Sequence, residues 1–385
     1  MEKVIYLDNN ATTAVAPEVF EAMRPFLTEL YGNPSSIHHF GGQVMAHIDH
    51  AREQLAALLG AQPGEVIFTS CGTESDNAAI SSALGLGTGR RKVVISKVEH
   101  PAVLAFGKEL ERRGYQVVQI PVDSKGRLDM ECAADMIDED TAIVSIMWAN
   151  NETGNIYPVA EVAELAHRHG ALFHTDAVQA VGKVPMDLSS LPIDMLSLSG
   201  HKLHAPKGVG ALYVKRGIRF RPFITGGHQE RNRRAGTENV ASVVGLGKAA
   251  ELAKANIEFE NSHVRALRDK LEKELLKLPA TRLNGDPEHR LPNTSNISFE
   301  YIEGESILML LDRYQICASS GSACTTGSLE PSHVLRAMGV PYTAAHGAIR
   351  FSLCRWNTEE EIDFVLEKLP PIIERLRSIS PYWKG

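Results

Sequence analysis

The 385-residue chain is 43% hydrophobic and 23% charged, which is enough apolar material for a sizeable core in one large domain with a smaller partner. Its formal net charge of -7 and its pI near 6.1 do not favour nonspecific binding to nucleic acid. The opening stretch MEKVIYLDNN lacks the apolar core of a signal peptide, and runs such as TAIVSIMWA are shorter than the roughly 20 residues that span a bilayer.

Between residues 65 and 215, short Val- and Ile-rich strands alternate with helical patterns. The strand EVIFT leads into SDNAAISSALG, KVVIS leads into PAVLAFGKELERRG, and TAIVSIMW precedes VAEVAELAHRHG. The other strands are QVVQI, ALFHTD, DMLSLS and GALYV. This alternation predicts an α/β fold with a mostly parallel sheet flanked by helices. In such a sheet, ligands bind at the carboxyl ends of the strands.

A long helical stretch after Glu238 predicts the link to a second domain. The apolar residues on one face of this stretch recur at helical spacing: Val264, Leu267, Leu271 and Leu275. The strands and helices that follow predict a smaller α+β domain. We therefore expect a large domain over 15–259 and a small domain made of 1–14 and 260–385, with the N-terminal segment packed on the small domain.

The segment FTSCGTESDNAA follows a strand and opens a helix, an arrangement typical of a phosphate site. Gly72 permits a tight turn, and Thr73 with Asp76 matches a capping box. Free N–H groups at a helix N-terminus favour an anion. An ordinary capped helix explains the same residues, so this motif alone leaves both interpretations open.

Two charged residues follow buried-looking strands. Asp176 ends the strand ALFHTD, where it is either another helix N-cap or a carboxylate that holds a protonated pyridine nitrogen. Lys202 lies in LSLSGHKLHAPKGVG, where it is either a surface charge or an amine that forms a Schiff base. A metal site made by His174, His201 and His204 lacks Cys or carboxylate partners at ligand spacing.

His100 and Arg350 complete a set of residues suited to one cofactor. His100 precedes Pro101 near a helix start, as a satisfied loop histidine or as an imidazole that lies against a planar cofactor and transfers protons. Arg350 shares a strand face with Ser352 in AIRFSLCR, as an edge salt bridge or as a carboxylate receptor. A phosphate cradle, an acid, a lysine, a histidine and an arginine in this order fit pyridoxal phosphate acting on an amino acid.

Cys324 lies in ASSGSACTTGS, a stretch of small residues that cannot bury a thiol well. These neighbours predict a loop in which the thiol can move and react, because the thiolate of an accessible cysteine is a nucleophile. The other cysteines fall in a turn, a helical pattern and two strand patterns: Cys71, Cys132, Cys317 and Cys354. Their irregular spacing argues against a disulfide framework or a zinc knuckle and predicts a reduced, cytoplasmic setting.

Ten motifs spread over the chain carry a resemblance to a known family. They are YLDNNATT, YGNPSSIH, TSCGTESDN, VEHPAV, MWANNETG, HTDAVQAVGKV, SGHKLHAPKGVG, GGHQERNRRAGTEN, SSGSACTTGSLEPSHVLRAMG and IRFSLCR. With them the sequence resembles the cysteine desulfurases among the fold-type I, class V pyridoxal phosphate enzymes, and it is most similar to the nitrogen-fixation (NifS) type. The match covers essentially the whole chain.

The resemblance implies a set of cofactor contacts. Lys202 would carry the Schiff base, Asp176 would bind the ring nitrogen and His100 would stack on the ring. The other contacts would be Gln179 at the ring hydroxyl, Asn151 beside the cofactor, Gly72, Thr73, Ser199 and His201 at the phosphate, and Thr237 from the other subunit of a homodimer.

The resemblance also implies the reaction. Asn151 and Arg350 would hold the carboxylate of L-cysteine, and Cys324 would attack its sulfur, with His100 as the candidate base. The products would be L-alanine and a Cys324 persulfide, whose sulfur would pass to an iron–sulfur scaffold protein for nitrogenase maturation. No intrinsic metal is expected, although Cys324 would transiently ligate a cluster shared with that scaffold. The rival interpretations are an aminotransferase or a selenocysteine lyase on the same fold, and a non-enzymatic iron–sulfur scaffold.

Overall fold

Strands rich in Val, Ile and Leu alternate with helices along the chain, as the sequence predicts. The computed structural model describes residues 4–320 and 331–384, so Cys324 lies outside the described residues. The strands are β1 (Ile5–Tyr6), β2 (Val66–Thr69), β3 (Lys92–Ser96), β4 (Gln116–Ile120), β5 (Thr141–Ser145), β6 (Leu172–Asp176), β7 (Met195–Ser199), β8 (Gly210–Val214), β9 (Thr281–Asn284), β10 (Thr294–Phe299), β11 (Ile316–Cys317) and β12 (Ala348–Ser352).

The helices pack against the large sheet or in a second core around the small sheet. They are α1 (Pro17–Met23), α2 (Pro25–Thr28), α3 (His39–Gly42), α4 (Met45–Leu59), α5 (Gly72–Leu84), α6 (Pro101–Arg112), α7 (Met130–Met136), α8 (Val159–Arg168), α9 (Gln229–Asn232), α10 (Val240–Phe259), α11 (Arg265–Leu275), α12 (Gly304–Asp312), α13 (His333–Ala337), α14 (Tyr342–His346) and α15 (Glu359–Ser378). Short 3-10 turns occupy Pro63–Glu65 and Gly200–Lys202, and a π-helical turn occupies Glu260–Val264. Within the described residues, no helix is both long and apolar enough to cross a membrane.

The large sheet has seven strands in the order β2-β8-β7-β6-β5-β3-β4. Neighbouring strands run parallel except at β8, which is antiparallel to both β2 and β7. The prediction of a mostly parallel sheet flanked by helices is confirmed. The carboxyl ends of β3, β5, β6 and β7 lie at the same edge of the sheet. The strand residues are buried on both sides because helices cover both faces.

A second group of elements forms around a three-stranded antiparallel sheet in the order β12-β10-β9. Strand β1 pairs in parallel with β11, and Ile5 and Leu7 of the N-terminal segment are buried in the same core as β10 and β12. Helix α10 continues through the π-helical turn into α11. The predicted apolar face of α11 and its preceding turn is buried in a core shared with α15: Val264, Leu267, Leu271 and Leu275. The division into domains at residue 259 stays a prediction.

Candidate active site

A cavity of about 370 Å³ opens at the carboxyl edge of the large sheet. It is lined by the sequence-predicted residues Gly72, Thr73, His100, Asn151, Asp176, Gln179, Ser199, His201, Lys202 and Arg350. These residues come from the ends of five strands, namely β2, β3, β5, β6 and β7, and from β12, so the topology brings together motifs that lie far apart in the sequence. Thr237 lies elsewhere, exposed in a separate groove with Glu230 and Arg234.

The predicted phosphate cradle is the start of α5. The expected capping box between Thr73 and Asp76 is wrong, because Cys71 is the N-cap and its Sγ accepts from Glu74 N at 3.5 Å. A Cβ on Gly72 would lie 2.7 Å from Val178 Cγ2. Only glycine therefore allows the turn to approach the segment after β6. The first N–H groups of the helix have no partners within it, which suits them to bind an anion.

Lys202 ends the 3-10 turn that follows β7. Its Nζ donates to the carbonyls of Asn10 at 2.5 Å and Ala11 at 2.7 Å. The neighbouring His201 shares a hydrogen bond of 3.1 Å with the Thr12 hydroxyl. Burial lowers the pKa of His201 to about 4, so this ring is neutral at physiological pH. The N-terminal segment thus holds the lysine amine at the cavity edge.

Asp176 is the last residue of β6 and is buried at the cavity wall. Its Oδ1 accepts from Val178 N at 2.9 Å. Burial raises the pKa of this carboxyl, and the charges of His100 and Lys202 act in the opposite direction. Nearby, Gln179 Nε2 donates to Asn10 O at 3.0 Å, while its buried Oε1 meets no partner among the described residues. The carboxyl group of Asp176 and the amide oxygen of Gln179 can therefore each accept a further hydrogen bond from a ligand.

His100 is the N-cap of α6, as expected from the proline that follows it. Its Nδ1 accepts from Ala102 N at 3.1 Å. Burial lowers the pKa of the ring, so the neutral form prevails and carries its proton on Nε2. This arrangement favours His100 as a proton donor. The suggestion that it deprotonates Cys324 stays a prediction.

Arg350 is 2% exposed in the middle of β12. Its two terminal nitrogens donate to Asn151 O at 2.9 Å and to Asp8 Oδ1 at 2.7 Å. Its Nε has no hydrogen-bond partner among the described residues. A guanidinium fixed at this depth can orient a carboxylate that enters the cavity.

Two cavity residues had no functional role in the sequence-based interpretation. Asn10 joins the site residues, because its carbonyl accepts from Lys202 and Gln179 while its Nδ2 donates to Asn151 O at 3.1 Å. The doubled asparagine of YLDNNATT was the only sequence feature that pointed to Asn10. Its main contacts are made by the backbone carbonyl, which a pattern of side chains does not reveal. Asp76 lines the cavity as well, although the sequence suggested only a helix cap.

These residues fit pyridoxal phosphate. The α5 N-terminus suits its phosphate, Asp176 its ring nitrogen and Lys202 its aldehyde, and Gln179, whose Oε1 has no partner among the described residues, lines the same cavity. A resident metal has no such support, because within residues 4–320 and 331–384 no group of three His, Cys, Asp or Glu side chains is arranged to hold one.

Comparisons with known proteins agree with this geometry. Residues 5–365 match the family model described as aminotransferase class-V. The chain is 61% identical over 383 residues to the cysteine desulfurase NifS of Azotobacter vinelandii, covering 99% of this chain and 95% of that protein. It is 60% identical over 380 residues to a cysteine desulfurase of Nostoc sp., covering 98% and 95%. A solved NifS-like protein superposes with a TM-score of 0.92 at 42% identity, covering 97% of this chain and 100% of that one.

Proposed function

We propose a function for this chain on the basis of its family. The chain belongs to the cysteine desulfurases of the aminotransferase class-V family. The chain is a pyridoxal phosphate-dependent enzyme that removes the sulfur of L-cysteine. The C–S bond of the substrate breaks and an S–S bond to an enzyme thiol forms. The proton of that thiol is balanced by the new C–H bond of L-alanine, so no external oxidant or reductant is needed.

The cavity residues would hold the cofactor at three points. The N-terminus of α5, from Gly72 and Thr73, would bind the phosphate together with Ser199 and His201. Asp176 would hold the proton of the ring nitrogen, and Lys202 would bind the aldehyde carbon. When bound, pyridoxal phosphate supplies an electron-withdrawing ring that stabilises negative charge on the substrate.

Two side chains are placed to move protons. Lys202 Nζ lies at the cavity edge against two carbonyls, where its amine would exchange a proton with a substrate bound in the cavity. His100 is the second, because its ring would take up the proton of the Cys324 thiol and return it to the carbon from which the sulfur leaves. Asn10 couples the position of the lysine to that of Gln179, because both donate to its carbonyl.

Substrate orientation would depend on Arg350 and Asn151. The guanidinium is held by the Asn151 carbonyl and by Asp8, which fixes its plane before substrate arrives. A fixed arginine binds a carboxylate more selectively than a mobile one, because less side-chain entropy is lost on binding. The carboxylate of L-cysteine would therefore be bound, and its side-chain sulfur would stay free to meet Cys324.

The cellular setting follows from the same family. Sulfur from the Cys324 persulfide would pass to an iron–sulfur scaffold protein, in support of nitrogenase maturation. The homodimer is supported by the position of Thr237, which is exposed and outside the cavity of its own chain. A reduced cytoplasm is supported by the absence of disulfides among the four cysteines that the structure describes.

One observation carries the proposal, namely that a single cavity collects Lys202, Asp176, His100 and Arg350. Its test is the production of alanine and sulfide from L-cysteine. Lys202→Ala should abolish both products, because no amine remains to bind the cofactor. Lys207→Ala, an exposed lysine of the same loop, should keep them. Full activity in Lys202→Ala would refute the assignment.

The sulfur acceptor is tested separately. Cys324→Ala should retain the cofactor and its visible absorbance, since the cavity is built from other segments, but should produce no alanine. Cys132→Ala on α7 is the matched control and should remain active. Alanine production at the normal rate by Cys324→Ala would show that another thiol accepts the sulfur.

A further inference from the structure

Asp76 is a buried carboxyl group of the cavity wall that the proposed mechanism does not use. It lies one turn into α5 and is 1% exposed. Its Oδ1 has no hydrogen-bond partner among the described residues. A buried carboxylate in that situation is costly unless a cation or several donors stabilise it.

The nearest histidine does not supply the missing charge. His174 Nε2 lies 3.7 Å from Asp76 Oδ1. The two ring nitrogens of His174 are already engaged at 2.8 Å by the hydroxyls of Ser145 and Ser197. Burial lowers the pKa of His174 to about 3, so the ring is neutral at physiological pH. The Ser145–His174–Ser197 chain therefore packs against Asp76 as a neutral polar wall.

The other titratable neighbours of Asp76 oppose its ionisation. Asp176 at the end of β6, Glu99 after β3 and Cys71 at the start of α5 all act to raise its pKa, and burial acts more strongly in the same direction. A hydrogen bond from the Ser197 hydroxyl acts in the opposite direction. Asp76 and Asp176 line the same cavity, and two neighbouring carboxyl groups seldom ionise together.

The surroundings decide which member of the pair keeps the charge. Asp176 accepts from Val178 N at 2.9 Å and lies near Lys202, whose positive charge favours its ionised form. Asp76 has no such partner. We propose that Asp76 is a positioning residue that stays protonated behind Asp176, so that the single negative charge of the pair rests on Asp176, where the ring nitrogen of the cofactor would meet it. This inference rests on the proposed role of Asp176.

Infrared spectroscopy of the cofactor-free protein tests the proton directly. At neutral pH, protein labelled with ¹³C at aspartate carboxyls should show a shifted carbonyl band of a protonated aspartic acid. The band should disappear in Asp76→Asn and persist in Asp194→Asn, a buried carboxylate paired with His167 at 2.8 Å. Aspartate labelling separates this signal from Glu99, whose pKa is raised to about 8 by burial. A wild-type protein without the band, or a band that survives in Asp76→Asn, would overturn the inference.

The link between the two carboxyl groups is tested by titration of the same band. In Asp176→Asn the neighbouring charge is gone, so the midpoint at which the Asp76 band vanishes should fall by about one pH unit or more. The band should also persist when pyridoxal phosphate binds the wild type. An unchanged midpoint, or loss of the band on cofactor binding, would refute the pairing. The infrared measurements on the cofactor-free protein do not depend on enzymatic activity. They would therefore still test the proton on Asp76 if the proposed function were wrong.

Discussion

Arg350 keeps two of its side-chain nitrogens on protein partners and one without a partner among the described residues. Its depth and its fixed plane would suit it to the proposed contact with an amino-acid carboxylate. A lysine at the same place would present a point charge without the planar fork of donors. The proposed substrate contact would therefore depend on the shape of the guanidinium as well as on its charge.

Arg350→Lys should raise KM for L-cysteine about tenfold, because the loss of one charged hydrogen bond costs about 1.5 kcal/mol, and kcat should change less. Steady-state alanine production measures both constants. Arg290→Lys, which alters a buried pair with Glu272 at 2.6 Å outside the cavity, should leave KM unchanged. Equal KM values for wild type and Arg350→Lys would exclude Arg350 from substrate binding.

At the scale of elements, the turn from β2 into α5 depends on close packing against the segment after β6. Gly72→Ala should weaken cofactor affinity by roughly tenfold, because the new Cβ would meet Val178 Cγ2 at 2.7 Å and displace the turn. The double variant Gly72→Ala/Val178→Ala removes the clashing methyl group and should recover most of the affinity. Fluorescence titration with pyridoxal phosphate measures the effect. A double variant as weak as the single one would show that the clash lies elsewhere.

The connection between β3 and α6 contains a buried acid whose protonation should make stability depend on pH. Glu99 accepts from Ser96 Oγ at 2.6 Å and from Met147 N, and burial raises its pKa from 4.5 to about 8. The folded state holds this proton more tightly, so the stabilisation is full below pH 4.5 and is lost as the pH rises through 8. The unfolding free energy of wild type should therefore fall relative to Glu99→Gln between pH 5 and pH 9.

Urea unfolding at several pH values checks this difference. Glu109→Gln, at a partly exposed position of the following helix α6, should stay within about 0.5 kcal/mol of wild type throughout. A constant difference between wild type and Glu99→Gln across the range would mean that Glu99 does not hold its proton in the folded state.

The elements themselves could be predicted because their signals are local. Buried runs such as KVVIS and the proline after His100 mark a strand and a helix start without reference to the rest of the chain. The strand order and the reversed β8 depend on pairing between distant residues and leave no local pattern. The left-handed backbone of Glu230 leaves no local pattern either. Its carboxylate is held at 2.7 Å by the guanidinium of Arg52, which lies on the remote helix α4. Cys71 caps α5 although a cap by Thr73 was expected, because tertiary packing determines the conformation of this turn.

At the scale of the whole molecule, Thr237 lies outside the cavity of its own chain, so its predicted contact requires a second subunit. Thr237→Ala and Lys202→Ala homodimers should each have low activity. After subunits are mixed, half of the dimers should be hybrids in which one site carries both defects and the other carries neither. About a quarter of wild-type activity should therefore return.

Alanine production before and after mixing measures the recovery, and native mass spectrometry confirms that hybrids have formed. Mixing Lys202→Ala with wild type is the control for subunit exchange. Hybrids that form without any recovery would place Thr237 in the site of its own subunit.

The antiparallel pairing of β2 with β8 also governs the order in which the chain can fold during synthesis. Thr69 pairs with Gly210, and β8 is the only neighbour of β2 in the described sheet. At about 5–20 residues per second, the ribosome releases β2 on the order of ten seconds before its partner. An apolar strand with an unpaired edge is prone to aggregate in that interval. We therefore expect the yield of soluble protein to depend on slow translation, low temperature or chaperones that cover β2 until β8 emerges.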